Sequence, residues 1–145
     1  PWKDFGSAFK RSLASRSPRR QMLKLILDEN LRIDALWRAI ATQCESNGLQ
    51  DATDISRVGG SNAPALATQD DTLLEWSATA GRIIVSLDKT TLPNYLVEFL
   101  KKGGSSPGLI ILRGGLTIPR MAELLITISY AGDAAEFTNQ CNWVP

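Results

Sequence analysis

Short, continuous apolar runs alternate along this chain with stretches whose apolar residues recur at helical spacing. Branched-aliphatic runs of this length predict strands that are buried on both faces, as in parallel sheets. The pattern predicts strands at residues 23–27, 82–87 and 108–113, and weaker extended segments at 49–55 and 136–144. The last of these is expected to add an edge strand.

Four other segments carry the apolar stripe of an amphipathic helix. The stripes are Ile33, Leu36, Trp37, Ile40 and Cys44; residues 73–80; Leu92, Tyr95, Leu96, Phe99 and Leu100; and Met121, Leu124, Leu125 and Ile128. Thr68 and Asp71 predict a variant capping box before the second helix, and Pro119 suits the first turn of the fourth. Alternating strands and helices predict an α/β fold, a three-layer α/β/α sandwich with a mostly parallel central sheet.

The length and composition of the chain favour one domain. With 145 residues, 43% of them hydrophobic, it is long enough for one well-filled core and too short for two ordinary domains. No apolar run approaches the roughly 20 residues that span a bilayer, and the chain does not open on a signal-peptide pattern. We therefore expect a cytoplasmic protein without membrane contact.

Basic residues are concentrated at the start of the chain. Residues 1–20 hold six of the sixteen Lys and Arg residues and one acid, which leaves ten bases against fourteen acids elsewhere. We interpret residues 1–21 as a basic leader, vector-derived or disordered, with Met22 as the expected natural start and 22–145 as a single domain. The alternative is a segment that contacts nucleic acid or an acidic partner.

The chain has no histidine and only two cysteines, Cys44 and Cys141. Without histidine, Ser-His-Asp and Cys-His catalysis and histidine-based zinc sites are excluded. Two cysteines nearly a hundred residues apart are not a disulfide framework, so a reducing compartment is the default. Cys44 lies on a helical apolar stripe and is expected in the core.

Acidic residues follow two of the predicted strands. Asp28 ends the first apolar run and Asp88 ends the run at 82–87, while Asp70 and Asp71 open the second helix. The carboxyl ends of neighbouring parallel strands form the crevice in which ligands bind. Clustered carboxylates there predict a Mg²⁺ or Mn²⁺ site that activates water against a phosphodiester. The competing interpretation is that Asp28, Asp71 and Asp88 are helix caps.

Four short motifs, in this order and spacing, resemble the PIN-like domains of small bacterial toxin-type proteins. They are Leu-Ile-Leu-Asp-Glu-Asn-Leu at 25–31, Asp-Asp-Thr-Leu-Leu-Glu-Trp-Ser at 70–77, Gly-Arg-Ile-Ile-Val-Ser-Leu-Asp at 81–88 and Pro-Gly-Leu-Ile-Ile-Leu-Arg at 107–113. In the third motif, Ser86 stands where the family pattern has threonine. The resemblance covers about residues 22–130.

The resemblance implies a PIN-type fold, a Mg²⁺ or Mn²⁺ site, metal-dependent cleavage of RNA and pairing with a small antitoxin protein. By motif match, the catalytic and metal-binding residues are Asp28, Asp70 and Asp88, which leaves Asp71 for capping. The match gives supporting positions to Glu29, Asn30, Ser86, Lys89 and Thr90. The expected partners are an RNA substrate, an antitoxin and, as a further option, a second copy of the chain.

The chain departs from the family pattern after the third strand. The family continues Asp-Lys-Asp-Phe, whereas this chain has Asp88-Lys89-Thr90-Thr91, so one expected carboxylate is a threonine. The alternative function is therefore a catalytically inactive PIN-like module that binds a protein or RNA. A phosphoacceptor receiver domain also places acids at strand ends, but it needs a lysine after a late strand, and Leu112-Arg113-Gly114 supplies none.

Overall fold

A five-stranded, all-parallel sheet forms the centre of the computed structural model, which describes residues 21–144. The strands are β1 (Lys24–Leu27), β2 (Asp54–Arg57), β3 (Arg82–Ser86), β4 (Leu109–Leu112) and β5 (Cys141–Val144). Their order in the sheet is β2-β1-β3-β4-β5. The chain leads from β1 to β2 on one side of the sheet and from β3 to β4 and β5 on the other, so the strand order reverses between β1 and β3. Ligands in open α/β sheets bind at such a switch point.

Helices cover both faces of the sheet, which confirms the predicted three-layer α/β/α sandwich. They are α1 (Asp34–Ser46), α2 (Asp70–Ala80), α3 (Thr91–Lys101) and α4 (Ile118–Ala131), with short 3₁₀ turns at Glu29–Leu31 and Ala134–Glu136. The buried side chains of α1 and α4 share one hydrophobic cluster, and those of α2 and α3 share another. The sheet separates the two clusters.

The alternation of side chains along each strand explains why the strands are apolar throughout. Leu25 and Leu27 of β1 pack against the α1 and α4 layer, whereas Ile26 packs against the α2 and α3 layer. Successive residues of a strand point to opposite faces, so a strand covered on both sides needs apolar residues at every position. The apolar residues of the central strands, at 25–27 in β1, 83–85 in β3 and 109–112 in β4, alternate between the two clusters in this way.

The two weak extended segments form strands that are shorter than predicted, and the first of them extends two residues beyond its predicted end. The predicted strand at 49–55 is observed as Asp54–Arg57, because Leu49 accepts a hydrogen bond from the N–H of Ala52 in a turn. At the other edge, β5 begins only at Cys141, after the 3₁₀ turn. Both are edge strands, where pairing on one side gives a weaker sequence signal.

The predicted capping box before α2 is wrong. The hydroxyl of Thr68 donates to the carbonyl of Ala65 at 2.6 Å, and Asp71 accepts from the N–H of its neighbour Thr72 at 2.8 Å. The helix begins at Asp70, and no side chain caps it. By contrast, Pro119 does lie in the first turn of α4, where Thr117 is the capping residue.

The stripe predicted on α3 is correct except at Tyr95. Leu92 and Leu96 are buried, and Phe99 and Leu100 pack against the core. The side chain of Tyr95 is 42% exposed. Tyr95 fits the spacing of the predicted stripe, but its side chain is not part of the core. Its exposed ring borders the site described below.

No helix among residues 21–144 has the length and apolar character needed to cross a membrane. The predicted basic leader falls on residues that lie outside the described part of the chain, apart from Gln21.

Candidate functional site

Asp28 and Ser86 meet at the carboxyl ends of β1 and β3. These strands are parallel neighbours, with Leu27 paired to Val85. The N–H of Asp28 donates to the carbonyl of Val85 at 2.8 Å and extends the pairing one residue past β1. Parallel pairing therefore brings together two residues that are distant in the chain, at the switch point of the sheet.

The hydroxyl of Ser86 is the centre of the site's hydrogen-bond network. Ser86 is fully buried, and its hydroxyl donates to Oδ2 of Asp28 at 2.7 Å. The hydroxyl oxygen of Ser86 also accepts from Nδ2 of Asn30 at 3.1 Å and from the backbone N–H of Asp88 at 3.0 Å. One hydroxyl thus joins β1, the 3₁₀ turn and the segment that leads to α3.

Glu29 and Asn30 each hold a different neighbouring segment. Oδ1 of Asn30 accepts from the N–H of Leu87 at 3.2 Å, which fixes the end of β3. Oε1 of Glu29 accepts from the N–H of Ala67 at 2.6 Å. Ala67 has a φ of 65°, a conformation that non-glycine residues adopt only where the surroundings hold it. Glu29 therefore anchors the loop that delivers α2 to the site.

Asp70 is the first residue of α2 and is partly buried beside the other acids. Burial raises the pKa of its carboxyl group, and the negative charges of Asp28, Asp88 and Asp71 raise it further. Within residues 21–144, its carboxylate has no hydrogen-bond donor and no ion pair. Asp70 thus lies within electrostatic range of Asp28 and Asp88, the other two aspartates predicted from the sequence.

Asp88 caps α3, the role that the sequence left open as an alternative. Its Oδ1 accepts from the N–H groups of Thr90 at 3.0 Å and Thr91 at 2.8 Å, and its Oδ2 accepts from that of Leu92 at 3.3 Å. Burial alone would raise its pKa, but these hydrogen bonds, together with one from the Thr91 side chain, lower it overall. Asp88 is therefore a stable carboxylate with fewer free lone pairs than Asp70.

Lys89 and Thr90, the remaining predicted supporting residues, are exposed. In the described part of the chain, Lys89 forms no ion pair with any of the acids. Thr90 contributes its backbone N–H to the Asp88 cap. The structure thus gives neither side chain a contact within the site.

The donor set can be tested against a divalent cation. Among residues 21–144, no group of three or more His, Cys, Asp or Glu side chains is placed so that it could hold a metal ion. The charges of Asp28 and Asp88 nevertheless add to burial in raising the pKa of Asp70, so both acids lie within electrostatic reach of Asp70. Mg²⁺ commonly binds through one or two carboxylates and several waters. Asp70 is the most available carboxylate for that mode of binding. Asp28 caps the 3₁₀ turn: its Oδ1 accepts from the N–H of Glu29 at 2.7 Å, and its Oδ2 accepts from Ser86.

A cleft of about 260 Å³ opens beside the acids, between the beginnings of α2 and α3. Its lining residues are Ala67, Thr68, Gln69, Asp70, Thr91 and Tyr95. A second cleft of about 290 Å³ shares two of them and is lined by Thr90, Thr91, Asn94, Tyr95 and Glu98. Sequence reasoning missed Gln69, Asn94 and Tyr95. A helical stripe does not show that Tyr95 leaves the core, and no pattern in the sequence marks Gln69 or Asn94.

Comparison of the chain with family models, with curated proteins and with solved structures gives no match. The functional argument therefore depends on the geometry and electrostatics of the site.

Proposed function

We propose that this protein is a metal-dependent ribonuclease of the PIN-like type. The main support is the gathering of Asp28, Asp70 and Asp88 at the switch point of a parallel sheet, with the pKa of Asp70 raised by burial and by the other two. Such repulsion lowers stability unless a cation offsets it. The four sequence motifs that resemble PIN-like domains support the same assignment.

The treatment of another acid in this fold strengthens the argument. Asp54, at the amino end of β2, is paired with the guanidinium of Arg82 at 2.8 Å. Within residues 21–144, none of the three site aspartates has a basic partner of this kind. Asp28 and Asp88 accept hydrogen bonds from backbone N–H groups instead, whereas the partly buried Asp70 has neither kind of partner, so Asp70 most favours a ligand-binding role.

Each residue of the site has a distinct task in this proposal. Asp28 and Asp70 would hold Mg²⁺ or Mn²⁺, and Asp88 would add negative charge while capping α3. When bound, the metal supplies Lewis-acid activation of a water and offsets charge on the phosphodiester. Ser86 orients the Asp28 carboxylate, and Glu29 keeps the loop before α2 in place. RNA is the proposed substrate.

The proposal includes a biological setting that follows from the resemblance. We infer that the protein is the toxin component of a toxin and antitoxin pair, that it acts in the cytoplasm and that a small antitoxin protein binds it. A second copy of the chain is a further proposed partner. These inferences rest on the motifs alone.

The second candidate function is an inactive PIN-like module that binds a protein or RNA. Two observations favour it: Thr90 stands where the family pattern has an acid, and the carboxylate of Asp88 is engaged by α3. Both reduce the negative charge available to a cation. The two candidates differ in whether metal binding leads to RNA cleavage.

Titration with Mn²⁺ and an RNA cleavage assay test the proposal together. We expect millimolar Mn²⁺ to raise the melting temperature in proportion to the logarithm of its concentration above the Kd, and to support cleavage of a labelled RNA. Asp28→Asn should lose both effects. Asp51→Asn is the matched control, since Asp51 is an exposed acid in the turn before β2, at the opposite edge of the sheet.

The outcomes separate the candidates. Stabilisation by Mn²⁺ without cleavage would favour the inactive module. Absence of any metal effect in the wild-type protein, with its fold intact, would contradict the ribonuclease proposal.

A further inference from the structure

We propose that the cleft between α2 and α3 is a subsite for one unpaired nucleobase of an RNA strand, stacked on Tyr95. This inference rests on the proposed ribonuclease function and adds a binding subsite to it. The starting observation is Tyr95, which the helical stripe of α3 predicted in the core and which the structure places at the surface.

Tyr95 lies outside the hydrophobic cluster that packs α3 against the sheet. Leu92 and Leu96 on the same helix are buried and belong to the hydrophobic cluster shared with α2, whereas Tyr95 does not. Its side chain is 42% exposed, and its hydroxyl has no hydrogen-bond partner among residues 21–144. An aromatic face left in water is a surface on which a ligand ring gains contact.

The position of Tyr95 relative to the acids points to the kind of ligand. Tyr95 and Asp70 line the same cleft. A base stacked on Tyr95 would therefore lie next to the carboxylate cluster, and its phosphates would lie near the proposed cation. Bases stack readily on aromatic side chains whatever their identity, which gives a platform for single strands.

Two amide side chains without hydrogen bonds in the described part of the chain line the clefts. Gln69 lines the first cleft and Asn94 the second, and within the described residues neither side chain makes a hydrogen bond. Amides of this kind can donate to and accept from the edge of a base. Only an unpaired base offers both its face and its edge, so these groups favour a single strand over a duplex.

The size of the clefts agrees with a small occupant. Their volumes of about 260 and 290 Å³ lie just below the roughly 300–1,000 Å³ that is usual for pockets of drug-sized ligands. The two clefts share Thr91 and Tyr95 and so lie next to each other. We therefore assign them to one base and the adjoining part of its strand.

Binding of a fluorescent RNA tests the subsite separately from catalysis. The parent protein is Asp28→Asn, which keeps the RNA intact, and the probe is a single-stranded decamer containing 2-aminopurine, alone or annealed to its complement. Adding Tyr95→Ala should weaken binding of the single strand by roughly 5- to 150-fold, the range for loss of one aromatic stack. It should also abolish the change in 2-aminopurine fluorescence.

Two further variants serve as controls. Tyr95→Phe keeps the ring and should retain the affinity and the fluorescence change. Val97→Ala removes another exposed apolar side chain of α3 that does not line either cleft, and it should bind as the parent does. Urea unfolding establishes that Tyr95→Ala remains folded.

The results distinguish this inference from the ribonuclease proposal. If wild-type protein cleaves RNA but Tyr95→Ala binds and cleaves equally well, the subsite is wrong and the ribonuclease stands. If Tyr95 is required for binding but wild-type protein does not cleave, the subsite stands and the ribonuclease is wrong. Equal affinity for single strand and duplex, or no affinity for either, as expected of a peptide-binding cleft, would overturn the subsite.

Discussion

The hydroxyl of Ser86 donates to Oδ2 of Asp28 across 2.7 Å, although 58 positions separate the two residues in the chain. The bond exists because β1 and β3 are parallel neighbours and end at the same edge of the sheet. A buried donor holds the carboxylate in one orientation, so the position of Asp28 is set by the core and not by solvent.

Removing this hydroxyl tests its importance. Ser86→Ala should lower the free energy of unfolding by about 1 kcal/mol, because Asp28, Asn30 and the N–H of Asp88 all lose a hydrogen-bond partner. Ser86→Thr retains the hydroxyl and is the matched control. The midpoint of urea unfolding at constant slope measures the change. Equal midpoints for Ala and wild type would show that the network adds nothing to stability.

Asp70→Asn should stabilise the metal-free protein at neutral pH. Burial, Asp28, Asp88 and Asp71 raise the pKa of Asp70 above its ordinary value of 3.8, so the folded protein holds this proton more tightly than the unfolded chain does. Stability is therefore lost as pH rises from the unfolded-state pKa through the folded-state pKa. At neutral pH the wild type bears this cost in full, and the Asn variant does not.

Denaturation across pH, without metal, measures the effect of Asp70→Asn. The advantage of the variant should disappear below pH 3.8, and added Mn²⁺ should stabilise the wild type more than the variant. Asp51→Asn serves as the control for loss of one negative charge. A variant that is less stable than wild type at pH 7 without metal would mean that the Asp70 carboxylate is stabilised by its surroundings.

Two substitutions separate the capping role of Asp88 from its charge. Asp88→Ala should cost about 1 kcal/mol, because the N–H groups of Thr90, Thr91 and Leu92 lose their acceptor. Asp88→Asn keeps an acceptor oxygen and should cost less. Both variants lack the negative charge, so both should bind Mn²⁺ more weakly than the wild type does. Metal affinity that is unchanged in both would exclude Asp88 from the cation site.

The pH dependence of Asp88 has the opposite sign to that of Asp70. Its folded-state pKa is lowered overall, since the helix N–H groups outweigh the effect of burial. Its contribution to stability is therefore present above the unfolded-state pKa and is lost as pH falls through the folded-state pKa. Wild type should exceed Asp88→Asn in stability at neutral pH, and the gap should close in acid.

Gly108→Ala should destabilise the fold by more than about 1 kcal/mol. Gly108 has a φ of 130°, which side chains rarely allow, and an added Cβ would collide with the backbone carbonyl of Phe137. This glycine precedes β4 and lets the segment before β5 pass close by. Gly114→Ala, where an added Cβ has open space, is the control. Similar unfolding midpoints for the two variants would contradict this packing.

The sheet and the acid cluster were predictable from the sequence because both depend on local patterns. An apolar run such as Leu25 to Leu27 predicts a strand that is covered on both faces. An acid that directly follows such a strand lies at the carboxyl edge of the sheet. The sequence also allowed Asp88 to be a helix cap, because a helix was predicted directly after it.

Other features depend on tertiary contacts that leave no local signal. Thr68 bonds to Ala65 and not to α2, since the loop before the helix is held by Glu29. Tyr95 sits at stripe spacing, yet the layer beneath it is filled by Leu92 and Leu96. Its exposure depends on the angle of α3 across the sheet, which helical spacing does not encode.

The two ends of the parallel strands differ in charge. At the amino ends, Arg82 neutralises Asp54, whereas at the carboxyl ends Asp70 has no basic partner among the described residues. The negative charge at the carboxyl ends repels a polyanion unless a cation is bound there. We therefore expect Mn²⁺ to strengthen the binding of RNA to the wild-type protein.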